Sequence, residues 1–332
     1  MKNGDQASAS LPEADLGDGR ADRTRAMLGG HDPLAHPFRS LSVPGMTKRT
    51  VRTAVLLANR PTASARMLPT FLIAGAARCG TMSMSATLSQ HPAIGYPILR
   101  WNREVHFFDN KYHRGLAWYQ SHFPLRARIE RAAHAVGADA AHAFESGVSY
   151  MFHPMAPERV KRDLPGVKLL VLLRDPVERA FSDHAHRVSR GCEMETFERA
   201  FELEDSRLAG EVERIMADPA YESVSYRHHA YRRRGEYIDQ LEHLEELFGR
   251  ERIHVIDSAD FFADPVPSYD GTLEFIGLPN VGYPDFKHLN ARQRPAPIPD
   301  SVREKLREHY RPYDERLVKW LGWEPTWCRQ HS

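Results

Sequence analysis

The stretch that decides the fold is Thr70 to Leu88, TFLIAGAARCGTMSMSATL. Phe71-Leu72-Ile73 is a short unbroken apolar run, the pattern of a strand buried on both faces. Gly75-Ala-Ala77-Arg78-Cys79-Gly80-Thr81 then turns tightly, with small residues on both sides of one cation, Arg78. From Met82 and Ser83 to Gln90 the pattern suits a helix, which must stop before Pro92. Strand, glycine-bounded loop and helix together make an anion site. Loop N–H groups and the first orphan N–H groups of the helix converge there, and the helix dipole adds positive potential. Arg78 adds a full charge and a fork of donors. The expected occupant is the 5′ end of a phosphate- or sulfate-bearing nucleotide. The spacing approaches G-x-x-x-x-G-K-[ST], but Thr81 follows Gly80 where a lysine would stand. With its cation inside the loop and no metal-binding pair, the site suits an anion that needs no Mg²⁺. The plainer alternative is a strand–helix turn whose glycines serve geometry and whose arginine faces water.

Outward from this stretch, two more strands stand out. Lys168-Leu-Leu-Val-Leu-Leu173 is the clearest buried strand, and Ile253 to Ile256 is another. Ala141 to Glu145 is weakly strand-like. Helices are expected over Arg126–Ala135, 157–164, 177–188 with Pro176 in the first turn, 194–208, 236–248, 258–262 and 268–276. Ser301–Leu321 reads as a hairpin or a kinked helix, because Pro312 interrupts it. Apolar strands alternating with longer helices imply crossovers and an α/β, three-layer, P-loop-like fold with a central, mainly parallel sheet flanked by helices. Ligands of such sheets bind beyond the carboxyl ends of the strands, so the Arg78 loop and the Arg174-Asp175-Pro176 loop should share one rim. Residues 1–67 are rich in Ala, Arg, Gly, Asp and Ser and read as a flexible or loosely docked arm, with a short helix over 50–59; residues 68–332 form the folded domain.

Composition excludes several classes. A formal charge of +1 over 332 residues argues against a generic nucleic-acid or membrane-surface binder. Cys79, Cys192 and Cys328 offer neither a disulfide framework nor zinc spacing, which fits a reducing compartment. Cys79 reads as a small loop-filling residue rather than a thiolate nucleophile. The histidines show no metalloprotease-type pair, so no metal is expected. No apolar run approaches a membrane span and the first residues are wrong for a secretory signal, so the expected location is cytoplasmic.

Three further clusters could carry chemistry. Arg174 leaves the end of a buried strand and Ser182 follows about two helical turns later, so a guanidinium and a hydroxyl could grip a second phosphate. The alternative is a surface network of Arg174 with Asp175 or Glu178. In Arg103-Glu104-Val105-His106-Phe107-Phe108-Asp109, an extended backbone would put Glu104, His106 and Phe108 on one face, with a carboxylate and an imidazole available to a general base. The alternative is an edge strand with a paired Glu and a packed His. The basic loop around Asn290, Arg292 and Arg294 could close over an anion, or be an ordinary solvated loop.

Taken together, FLIAGAARCGT, REVHFFDNKYHRGLAWYQSHFP, LLVLLRDPVERAFSDH and GEYIDQLEHLEELFGRERIHVI resemble, in order and spacing, the sulfotransferases that use 3′-phosphoadenosine-5′-phosphosulfate. The likeness is nearest to the heparan-sulfate N- and 3-O-sulfotransferase branch and its bacterial relatives, from about Thr70 to Gly322. The resemblance implies that Gly75–Thr81, with Met82 and Ser83, forms the 5′-phosphosulfate loop. It implies that Arg174 and Ser182 hold the 3′-phosphate and that Asn290, Arg292 and Arg294 cover the cofactor. Glu104 would be the base, supported by His106 and Asp109, with Arg78 and Arg103 near the sulfuryl group. Phe108, Asp109 and Tyr150 would face the acceptor, a carbohydrate or small metabolite with a hydroxyl or amine. The product would be adenosine 3′,5′-bisphosphate, with no metal, nucleic-acid or membrane partner. Arg78 departs from the usual lysine, and Thr81-Met82 from a usual Thr-Thr. A catalytically inactive nucleotide-binding relative and a P-loop kinase remain as alternatives.

Overall fold

The structure is a computed structural model that describes residues 45–99, 104–289 and 298–329. The chain groups into two units, Met1–Thr47 and Lys48–Ser332, and the second carries the sheet and the candidate site.

Five strands form one sheet in the order β2-β3-β1-β4-β5: β1 Phe71–Gly75, β2 Ile94–Gly95, β3 His142–Ser146, β4 Lys168–Leu173 and β5 Ile253–Asp257. Every pairing is parallel. The unbroken apolar runs are explained by what covers them: Phe71, Leu72, Ile73, Leu170, Val171, Leu172 and Leu173 are all fully buried. Each such side chain stabilises the fold by roughly 1.5–3 kcal/mol, so β1 and β4 form the centre of the core.

Strand order sets the position of the cleft. From β1 the chain crosses to β2 at one edge, and from β4 it runs to β5 at the other. The connections after β1 and β4 therefore diverge, leaving a crevice beyond the carboxyl ends of two adjacent strands. The helix after β1 is Thr81–Leu88, and the helix after β4 is Pro176–Val188. Asp175 caps the latter, accepting from the N–H groups of Val177 and Glu178. A second apolar cluster joins Val177 and Phe181 of that helix to Ile298, Val302, Leu306 and Tyr310.

The structure departs from the sequence reading in several places. The last long helix runs unbroken from Asp300 to Leu321 with Pro312 inside it. Buried Val302, Leu306, Tyr310, Leu317 and Leu321 keep one apolar stripe across the proline, and this packing outweighs the lost hydrogen bond. The first described helix is Gly45–Asn59, longer than expected. Within 59–67, which the sequence assigns to the arm, Arg66 is buried and donates to the Phe123 carbonyl at 2.8 Å and to Asn59 at 2.6 Å. The short helices Glu211–Ala217 and Val224–His228 were not anticipated.

Candidate active site

The β1 loop is shaped by close approach. A Cβ on Gly75 would lie 2.1 Å from Met151 Sδ, so any larger residue at the end of the strand would force the Met151 side chain to move. Gly80 has φ +84° and starts the Thr81–Leu88 helix in the left-handed region, which glycine adopts without cost. Between them Arg78 also has a left-handed φ, +72°, at a cost of about 1–2 kcal/mol. The surroundings hold it there. The Ala76 N–H donates to Leu172 of β4 at 2.9 Å, and Cys79 is fully buried beneath the loop. Burial pushes the Cys79 thiol up to about 11, so it packs rather than reacts.

The two cationic loops do meet. Arg78 Nε donates to Ser182 Oγ at 3.3 Å, joining the β1 loop to the helix after β4. Tyr237 adds a second tie: its hydroxyl donates to the Arg174 carbonyl at 2.8 Å and lies 3.7 Å from Cys79 Sγ. Sequence reading placed Tyr237 only on an apolar helix face, since a phenol that packs and also donates has no distinct pattern. Arg174 keeps 31% of its side chain exposed and lies a long 4.0 Å from Glu178, whose other oxygen accepts from Arg303 at 2.9 Å. Next to Ser182, fully buried Asp183 pairs with Arg179 at 3.3 Å and Arg187 at 3.2 Å. Burial raises its pKa, but the two guanidiniums outweigh that and hold it below the usual carboxylate range.

Of the other residues assigned to the nucleotide, Ala77 and Thr81 line the turn and are buried, while Met82 is half exposed at the helix start. Ser83 is buried and accepts from the Leu289 N–H at 2.9 Å. Leu289 therefore seats on the helix after β1, and Ile298 is anchored against the helix after β4. Asn290, Arg292 and Arg294 lie between these two anchors, outside the described residues, as does Arg103.

The carboxylate–imidazole cluster forms, though not on an extended strand. The chain turns into a short helix at Phe107–Asn110, and His106 caps it with φ +58°. The ring sits between two acids, with Nε2 3.2 Å from Glu104 Oε2 and Nδ1 2.9 Å from Asp109 Oδ2. Burial pulls the imidazole pKa down, but the hydrogen bonds and charges of Asp109 and Glu104 carry it up to about 10. His106 is thus an imidazolium at neutral pH, donating both N–H groups, and it orients Glu104 rather than accepting a proton. Asp109 is buried, which raises its pKa; its bond to His106 more than reverses this and holds it low.

Two residues expected against the acceptor stand elsewhere. Phe108 is fully buried, because the helical turn rotates it away from Glu104 and into Tyr119 and Tyr150. Tyr150 is 2% exposed, and its hydroxyl donates to Glu145 and accepts from the Phe107 N–H. Both support the cluster from behind. Lys111, which sequence reading passed over, donates to the Val105 carbonyl at 3.2 Å. The Ser146–Met151 turn links this cluster to the anion loop, since the Met151 N–H donates to Ala74 of β1 at 3.1 Å.

A parallel α/β sheet with a glycine turn, two arginines and a hydroxyl at its switch point defines a protein of the P-loop-like α/β class. No group of three or more His, Cys, Asp or Glu suited to a metal occurs among the described residues. The sequence profile of the sulfotransferase domain matches residues 68–290, and the chain belongs to that family. It is a sulfotransferase. It is 28% identical over 285 residues to human (Homo sapiens) heparan sulfate glucosamine 3-O-sulfotransferase 6, covering 79% of this chain and 74% of the relative. With human (Homo sapiens) heparan sulfate glucosamine 3-O-sulfotransferase 3B1 it shares 26% identity over 288 residues, 79% of this chain and 65% of that one. A crystal structure of a sulfotransferase from Alicyclobacillus acidocaldarius matches with a TM-score of 0.56 at 30% identity, over 79% of this chain and 99% of the other.

Proposed function

We propose that this enzyme moves a sulfuryl group from 3′-phosphoadenosine-5′-phosphosulfate to a hydroxyl, or an amine, of a carbohydrate or small-metabolite acceptor, with Glu104 as the base. The contact between Arg78 and Ser182 carries the reading, because it brings the β1 loop and the helix after β4 together, as a nucleotide with phosphates at both ends would require. The donor set fits. The β1 loop and Arg78 suit the 5′-phosphosulfate, while Ser182 and the half-exposed Arg174 suit the 3′-phosphate. The carbohydrate acceptor is supported by the relatives whose names specify heparan sulfate glucosamine.

In this transfer the acceptor proton passes to the Glu104 carboxylate. The acceptor oxygen or nitrogen bonds to sulfur as the sulfur–oxygen bond to the 5′-phosphate breaks, and the electron pair leaves with adenosine 3′,5′-bisphosphate. Imidazolium His106, fixed by Asp109, holds the Glu104 carboxylate aimed. Arg78 faces the charge that develops on the departing phosphate. The donor brings the activated sulfuryl group; the chain supplies position, charge and a proton acceptor. Incubation with sulfur-labelled donor and heparan sulfate, beside a panel of sugars and small hydroxylated metabolites, tests the reading. Label transferred to an acceptor, together with adenosine 3′,5′-bisphosphate, is expected. Tight binding of that bisphosphate with no transfer to any acceptor would make the chain an inactive relative.

A further inference from the structure

The residue that stands out beyond this site is Glu145, on β3. It is fully buried, and no Lys or Arg is bonded to it among the described residues. Burial pushes its pKa up to about 7, and an apolar residue would serve β3 better if packing were the only demand. Three donors converge on it instead. The Val105 N–H reaches Oε1 at 2.7 Å, the Tyr150 hydroxyl reaches Oε1 at 2.9 Å and the Tyr119 hydroxyl reaches Oε2 at 2.6 Å.

What those donors belong to gives the cluster its meaning. Val105 lies between Glu104 and His106. Tyr150 in turn accepts the Phe107 N–H at 3.1 Å, on the other side of His106. Tyr119 stacks on the Phe107 ring with centroids 4.5 Å apart. The amides flanking His106 are therefore both tied, directly or through one hydroxyl, to a single buried carboxylate. Between them His106 holds φ +58°, a left-handed conformation that strains a residue with a Cβ. Relaxation to negative φ would swing the ring out of the gap between Glu104 and Asp109.

We propose that Glu145 is the positioning residue of the active site, clamping the Val105 and Phe107 amides so that the strained His106 stays bonded to Glu104 and Asp109. It touches neither donor nor acceptor and acts through the backbone. The inference rests on the reading of Glu104 as base, but its test is separable from that reading.

The experiment compares Glu145→Ala, Glu145→Gln and Tyr150→Phe by two measurements. The first is the titration of the His106 ring by NMR, assigned with a His106→Gln control; it needs neither donor nor acceptor. The second is kcat and KM for transfer from 3′-phosphoadenosine-5′-phosphosulfate to heparan sulfate. Glu145→Ala should drop the His106 titration toward the ordinary value of about 6.5. It should also lower kcat about 100-fold, the scale expected of a misplaced catalytic group, with donor KM unchanged. Glu145→Gln keeps an oxygen for Val105 and Tyr150 and should recover both readouts to within a few-fold. If Glu145→Ala does not fold, Tyr150→Phe decides: it frees the Phe107 amide and removes one donor from Glu145 while the Val105 tie remains, and it should lower both readouts in the same direction. A folded Glu145→Ala, or a Tyr150→Phe, with an unchanged His106 titration overturns the proposal. So does a Glu145→Gln that loses the titration as fully as the alanine variant. Absence of transfer by the wild-type chain to heparan sulfate and to every other acceptor of the panel would instead count against the sulfuryl-transfer reading, leaving the titration to decide the clamp.

Discussion

Arg78 and Ser182 are 104 positions apart in the chain and meet at 3.3 Å. One comes from the turn after β1 and the other from the helix after β4, so the contact exists only once those strands are paired. Arg78→Ala should weaken binding of adenosine 3′,5′-bisphosphate roughly ten- to a hundredfold, the value of a hydrogen bond to a charged group, and slow transfer as well. Calorimetric titration measures the first effect. A variant that binds as tightly as the parent removes Arg78 from the anion site.

Arg174 tests which end of the nucleotide each loop is proposed to hold. Arg174→Ala should lower affinity for the 3′,5′-bisphosphate about tenfold while leaving adenosine 5′-monophosphate nearly unchanged, because only the former carries the group it is assigned to hold. An equal loss on both ligands would place Arg174 at the 5′ end or outside the site.

Glu104→Gln should cost about a hundredfold in kcat, a general base's usual contribution, with bisphosphate affinity retained. Single-turnover transfer reads this directly. Full activity in the glutamine variant would leave the proton without its assigned acceptor.

The His106 pKa also predicts a pH dependence of stability. The folded value, about 10, lies above the ordinary 6.5, so the folded chain keeps a proton that the unfolded chain releases between those values. The stabilisation is complete below pH 6.5 and disappears as pH rises toward 10. The melting difference between wild type and His106→Gln should shrink over that window. A difference that is flat with pH would mean the imidazolium is not bonded as described.

Cys79 should be inert. Its thiol is buried and pushed up to about 11, while Cys192 is exposed. Native-state labelling with a thiol reagent should modify Cys192 first and leave Cys79 for the unfolded chain. Rapid labelling of Cys79 accompanied by loss of activity would reopen thiolate chemistry.

The parts of this enzyme that could be read in the sequence are those where one local pattern has one cause. A continuous apolar run such as 168–173 is explained only by burial on both faces, and glycines after such a run mark a tight turn from strand to helix. From there the strand-end rule brought Arg78 and Ser182 to one rim. The Glu104–His106 pairing was anticipated for an incomplete reason. An extended segment would pair the groups by alternation, whereas a helical turn and a left-handed His106 bring them together and send Phe108 inward. Glu145, Tyr119 and Tyr150 were not legible as a clamp, because their convergence depends on how β3 and its turn lie against 104–109. Tyr237 was hidden for a similar reason: its packing is periodic, but its hydroxyl contact depends on where β4 ends.

The strand order has a consequence for how the enzyme comes into being. β1 emerges early in the chain but occupies the middle of the sheet, and its partners β3 and β4 begin at His142 and Lys168. The glycine turn therefore has no fixed shape until chain made much later has closed around it, and pairing of this range is slow to form. Ligand that binds only the completed cleft adds its free energy at that last step and draws the chain toward the finished state. The donor nucleotide would then act as a folding ligand as well as a reactant, and its cellular level would help set how much of the enzyme matures.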